Sequence, residues 1–193
     1  MKKSMKSTAA MLLAAILTLS LGVWAQAEGL TGAAALYESA SPAVVGVYAM
    51  GETWSRESGA SIAERDYGTG LYVDERGYVL TCWHLIQSAD FVEIETASGE
   101  RVRVSEILSD NTVDIAVLKL VDAEDLPVAE FGNSDLTMVG EQVYAIGNPL
   151  GIELRCTLTE GIISAVDRDV QLDGRTLNVI QTTAALNNGN SGG

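Results

Sequence analysis

Short apolar runs broken at close intervals by turn sequences constrain this chain more than any other feature. Residues 67–73 and 77–81 flank Asp74-Glu75-Arg76-Gly77, residues 91–96 and 101–108 flank Ala97-Ser98-Gly99-Glu100, and residues 170–172 and 175–181 flank Asp173-Gly174. Each pattern is a hairpin signature, because Gly, Asp and Asn accept backbone angles that β-branched residues avoid. Residues 43–48, 113–120, 142–146, 153–159 and 162–170 read as further strands. One helix is expected over residues 30–40, with Leu30, Ala33, Ala34 and Tyr37 at helical spacing. It should stop ahead of Ser41-Pro42, since a proline disfavours helix in the residue before it. Residues 51–66 are polar, contain Gly and Ser, and read as a mobile loop. No fixed-period repeat is visible. The expectation is an all-β fold, barrels or a sandwich, and 193 residues suit one domain or two small barrels.

The amino terminus reads as an address. Lys2, Lys3 and Lys6 precede an apolar run over residues 9–24, and Ala25-Gln26-Ala27 fits a cleavage signal. Residues 1–27 are therefore expected to be a secretory signal peptide. An uncleaved anchor is the alternative, although the run falls short of a comfortable span of about 20 residues. Both place the remainder outside the cytoplasm. The formal net charge is −14, and without those three lysines 9 basic residues face 26 acids, giving −17. Such a chain lacks the basic footprint that nucleic acid requires. With 47% hydrophobic residues it is no disordered acidic tail. One His and two Cys leave too few ligands for a zinc cluster built from His and Cys alone, and no metal or cofactor is expected.

The chemistry-bearing residues are few. Ser191 sits in Asn187-Asn188-Gly189-Asn190-Ser191-Gly192-Gly193. That stretch reads as a flexible polar loop or as a nucleophile on a tight turn. In the second case Gly189 lets the backbone approach a substrate carbonyl, and the N–H groups of Gly189 and Ser191 would form an oxyanion hole. The single His, His84, follows the apolar run Val79-Leu80-Thr81. Asp114 heads an apolar run over residues 115–120, where an acid costs desolvation unless it is bonded. Asp110 competes with it for the role of partner to His84. The order His, Asp, Ser is that of chymotrypsin-type hydrolases.

The chain resembles the HtrA (Do-like) branch of trypsin-like serine proteases. The matching residues are Gly68-Thr69-Gly70, the stretch from Asp74 into His84, Asp114-Ile115-Ala116-Val117-Leu118-Lys119, Ala145-Ile146-Gly147-Asn148-Pro149, Gly161-Ile162-Ile163-Ser164-Ala165 and Gly189-Asn190-Ser191-Gly192-Gly193. They run in order, and the resemblance covers roughly residues 33–193. The resemblance implies a double β-barrel, with a first barrel over about 42–125 and a second over about 126–193. The sequence given stops two residues past Ser191, so that second barrel is expected to be incomplete. Residues 28–193 would form the protease domain.

The resemblance also implies roles. Ser191 would be the nucleophile, His84 the general base and Asp114 its orienter, with oxyanion donors from Gly189 and Ser191. The implied activity is a serine endopeptidase working through an acyl-enzyme without cofactor, in envelope protein quality control. Unfolded or damaged proteins are the implied substrates. A following PDZ domain and assembly into homotrimers are implied as well. Three positions depart from the family pattern: Cys82 replaces Asn, Thr183 replaces an acid, and Asn188 replaces Pro. The last two leave loop rigidity open and motivate an alternative, a non-catalytic peptide-binding or chaperone-like module that keeps the fold. Cys82 and Cys156 read either as a disulfide in an oxidising compartment or as two buried thiols.

Overall fold

The run Val44-Val45-Gly46-Val47-Tyr48 is apolar on consecutive positions because both faces of its strand are covered. Val45 and Val47 point into the main core, while Tyr48 packs with Met50, Phe91 and the half-buried Tyr67 on the other side. This is β1 (Val44–Ser55), and it opens a closed antiparallel barrel in the computed structural model, which describes residues 32–56, 59–172 and 174–193. The expected signal peptide lies outside the described residues. The chain divides into two units, residues 1–36 and 37–193. An α-helix, α1 (Ala33–Ala40), stops at a 3-10 turn, Ser41–Ala43, as the proline dictates.

The barrel comprises β1, β2 (Gly59–Asp74), β3 (Tyr78–Cys82), β4 (Phe91–Glu95), β5 (Arg101–Asp110) and β6 (Ile115–Leu120), ordered β1-β2-β3-β6-β5-β4 with β4 returning to β1. Closure removes strand edges that would otherwise expose unpaired N–H and C=O groups. Inside lie Val45, Val47, Tyr72, Val79, Leu85, Ile86, Val92, Ile94, Ala116, Leu118 and Leu120. The rest of the chain adds an antiparallel three-stranded sheet of β7 (Gln142–Gly147), β8 (Thr157–Leu172) and β9 (Arg175–Thr182). The fold is the trypsin-like double barrel with its second barrel incomplete in this chain.

Two expectations fail. Residues 51–66 are not a loop: the paired positions run from Met50↔Glu64 to Ser55↔Gly59, so β1 and β2 extend as a two-stranded ribbon. Its side chains are largely exposed, which explains the polar sequence. The pairing itself satisfies the backbone, with Thr53 Oγ1 2.7 Å from Ser61 Oγ. Residues 153–159 and 162–170 are not two strands either. A 3-10 turn covers Ile152–Leu154, and β8 then runs unbroken from Thr157. Gly161, between those two ranges, allows close packing inside the strand, since a Cβ there would lie 2.1 Å from the Ala184 nitrogen.

Asn148 ties the two parts together. It follows β7 and is 1% exposed. Its backbone N–H donates to Thr69 Oγ1 at 2.9 Å, its Nδ2 donates to the Val45 carbonyl at 2.9 Å, and its Oδ1 accepts from the Cys156 N–H at 2.9 Å. Asn148→Ala strands a buried carbonyl and a partly buried N–H at once. We expect a loss of about 2–4 kcal/mol in chemical denaturation, and an effect below about 1 kcal/mol would show that water replaces these bonds readily.

Candidate active site

The pairing of β3 with β6 sets Cys82 opposite Ile115, so the residues just past Cys82 and just before Ile115 meet at one end of the barrel. There the chain turns into α2 (Trp83–Ile86), a single turn carrying His84. Asp114 occupies the turn before β6, one residue outside the strand that was expected to begin with it, at φ +59°. Its carbonyl accepts the Trp83 N–H at 3.1 Å. Its Oδ1 accepts the His84 backbone N–H at 2.9 Å, and its Oδ2 lies 2.7 Å from His84 Nδ1. An ionised carboxylate only accepts, so Nδ1 carries the proton and Nε2 of the neutral ring is left as a base. Asp114 is the partner and Asp110 is not: Asp110 Oδ1 accepts from the N–H and hydroxyl of Thr112, at 2.8 and 2.6 Å.

Arg175, at the start of β9, was not anticipated. Its Nη1 lies 3.8 Å from Asp114 Oδ1 and donates to the Asn111 carbonyl at 2.6 Å, and its guanidinium stands 5.5 Å from the Trp83 ring centroid. No local pattern marks it, because the contact joins residues on different sheets.

The serine loop is held through its backbone carbonyls, by Thr69 of the first barrel and by Leu150 just after β7. The Ser191 carbonyl accepts the Thr69 N–H at 2.9 Å, the Gly189 carbonyl accepts the Thr69 hydroxyl at 2.7 Å, and the Asn188 carbonyl accepts the Leu150 N–H at 2.9 Å. Within the loop the Asn190 N–H donates to the Asn187 carbonyl at 3.0 Å. Thr183, where an acid was expected, accepts the Ile162 N–H on its hydroxyl at 3.0 Å. Thr183 and Asn188, the two departures from the family pattern in this loop, are thus both bonded. Gly189 has φ +97°, and a Cβ there would lie 2.3 Å from the Asn148 carbonyl oxygen, so packing demands glycine as much as substrate access does. Among the described residues, the N–H groups of Gly189 and Ser191 donate to no protein acceptor. His84 and Asp114 are brought together. No hydrogen bond joins Ser191 Oγ to His84 among the described residues, and such contacts commonly tighten only when substrate binds.

Cys82 borders the same site. Burial pushes its thiol above the usual range, the nearby Asp114 carboxylate adds to this, and the Gly192 N–H opposes it. A thiol held protonated is a poor nucleophile. Cys82 and Cys156 are both free, so the disulfide alternative is set aside.

A closed barrel, half of a second and a histidine–aspartate pair beside a glycine-rich serine loop define the chymotrypsin-type peptidase class. Comparison with known proteins agrees. The family profile described as a trypsin-like peptidase domain matches residues 68–193. The serine protease Do-like HtrA of Bacillus subtilis is 37% identical over 172 residues, covering 82% of this chain and 38% of that protein. A probable periplasmic serine endoprotease, DegP-like, of Rickettsia conorii is 42% identical over 128 residues, covering 65% of this chain and 25% of its own. The solved structure of an HtrA-type protease AlgW with decapeptide superimposes with a TM-score of 0.72 at 31% identity, covering 84% of this chain and 55% of that one. The chain belongs to the trypsin-like peptidase family, as an HtrA-like member. It spans 25–38% of the length of these two curated relatives.

Proposed function

We propose that the protein is an extracytoplasmic serine endopeptidase and that residues 28–193 carry its catalytic machinery behind an export signal at residues 1–27. Ser191 Oγ attacks the scissile carbonyl, and His84 Nε2 takes its proton. The Gly189 and Ser191 N–H groups hold the oxyanion. His84 then protonates the leaving amine, and water hydrolyses the acyl-enzyme by the same route in reverse. Asp114 keeps the ring in the required tautomer and stabilises the imidazolium. One observation carries the reading: both oxygens of Asp114 are spent on His84, one on its ring and one on its backbone.

Relatives named periplasmic endoproteases support a place outside the cytoplasm. No helix among the described residues is long and apolar enough to cross a membrane. The AlgW structure holds a decapeptide, which supports polypeptide as ligand. We assign unfolded or damaged envelope proteins as substrates and a homotrimer as the working assembly of the full-length protein. The test is covalent: a fluorophosphonate should label the full-length protein at Ser191 and leave Ser191→Ala unlabelled. Equal labelling of both would remove Ser191 from the mechanism, whereas peptide binding without turnover by the protein with all three residues intact would favour the non-catalytic module.

A further inference from the structure

We propose that Cys82, His84 and Asp114 form a binding site for a zinc-class divalent ion, and that its occupancy switches the peptidase off. The Cys82 Sγ, a ring nitrogen of His84 and a carboxylate oxygen of Asp114 all lie within 4.8 Å of one another. One sulfur, one nitrogen and one oxygen make a ligand set suited to Zn²⁺, Co²⁺ or Cu²⁺ and poor for Mg²⁺ or Ca²⁺, which prefer oxygen alone. A tetrahedral ion with bonds of about 2.0–2.3 Å needs ligand atoms roughly 3.3–3.6 Å apart. Here a separation of up to 4.8 Å must close by roughly 1.2–1.5 Å, and the 2.7 Å contact between His84 Nδ1 and Asp114 Oδ2 must open by roughly 0.6–0.9 Å. Small side-chain rotations suffice, because the Cys82↔Ile115 pairing and the bonds from Asp114 to the Trp83 and His84 N–H groups already hold the three residues at one end of the barrel.

The shortage of ligands in the sequence excluded a four-coordinate cluster of His and Cys. It does not exclude three ligands that include a carboxylate, an arrangement that leaves the fourth position to water. The thiol is available because Cys82 is unpaired. Nor does the catalytic cycle proposed above use it.

Binding involves no redox step. The ion takes the place of the Cys82 thiol proton and bonds to Nδ1 of His84. The ring keeps one proton, now on Nε2, so each ion bound releases one proton to solvent. A ring protonated at Nε2 cannot accept the proton of Ser191, and Asp114 is no longer free to orient it. Inhibition rests on the peptidase reading; binding does not.

The test uses Co²⁺, whose bond to a thiolate absorbs in the near ultraviolet. The full-length protein should bind one equivalent with that band and with the visible bands of a tetrahedral ion, and Zn²⁺ should displace it. Cys82→Ser and Cys82→Ala should lose the thiolate band and bind at least about 100-fold more weakly, since even outer partners of metal ligands are worth 10–100-fold. Cys156→Ser should behave as wild type. Absence of the band from the wild type, or its persistence in both Cys82 variants, would overturn the site. In the same samples Zn²⁺ should block fluorophosphonate labelling of the wild type, spare the Cys82 variants, and be matched by no effect of Mg²⁺. Cobalt binding without any labelling of the metal-free protein would uphold the site and sink the peptidase reading instead. Zinc that binds without slowing labelling would overturn the switch.

Discussion

Asp114→Asn is expected to lower kcat/KM on a denatured protein substrate by about 10⁴-fold while leaving the fold intact. The geometry explains both halves. The carboxylate accepts two N–H groups of His84, one per oxygen. An asparagine amide offers one oxygen and one NH₂. If the oxygen serves the backbone, the NH₂ donates to Nδ1 and the ring proton moves to Nε2, where it cannot take the serine proton. If the amide turns over, the backbone N–H of His84 faces a second donor and α2 loses its anchor. The backbone tolerates the change, because Asn accepts the left-handed conformation that Asp114 adopts at φ +59°. Thermal unfolding should therefore move little. A drop in kcat/KM of less than about 10-fold would show that another group orients His84.

Gly192→Ala should be nearly as damaging, by a different route. Gly192 has φ +88°, and a Cβ there would lie 2.1 Å from the Thr69 carbonyl oxygen and 2.5 Å from Thr81 Oγ1. Thr69 cannot retreat. Its carbonyl accepts the Thr81 hydroxyl at 2.7 Å, and its N–H donates to the Ser191 carbonyl at 2.9 Å. The serine loop must move instead. Left-handed strain and overlap together should cost about 3–5 kcal/mol. A nucleophile displaced by about 1 Å should lose at least about 100-fold in kcat/KM. Denaturant titration beside a kinetic assay separates the two effects, and an unchanged kcat/KM would mean the loop yields without moving Ser191.

Much of this was legible in the chain because hairpins announce themselves locally. The Asp74-to-Gly77 and Ala97-to-Glu100 turns fell where alternation and turn chemistry placed them. The β1–β2 ribbon was missed because its stability lies in backbone pairing between two polar segments, and side-chain pattern is blind to that. The continuity of β8 was missed because nothing local shows that Gly161, between the two expected strands, packs against Ala184. At the site, residue type and order nominated His84 and Asp114 but left Asp110 as a competitor; the resemblance pointed to Asp114, and the register of β3 on β6 supplies the physical reason. Arg175 and Asn148 escaped for a related reason. Their importance comes from partners 61 or more residues away in sequence, Asp114 for the first and Val45 and Thr69 for the second.

The bonds that assemble the dyad also report on it. The amide protons of Trp83 and His84 are both held by Asp114, one by its carbonyl and one by its side chain. Neither can exchange with water until that end of the barrel opens, so their exchange rates measure how often the histidine and its acid part company in the resting protein.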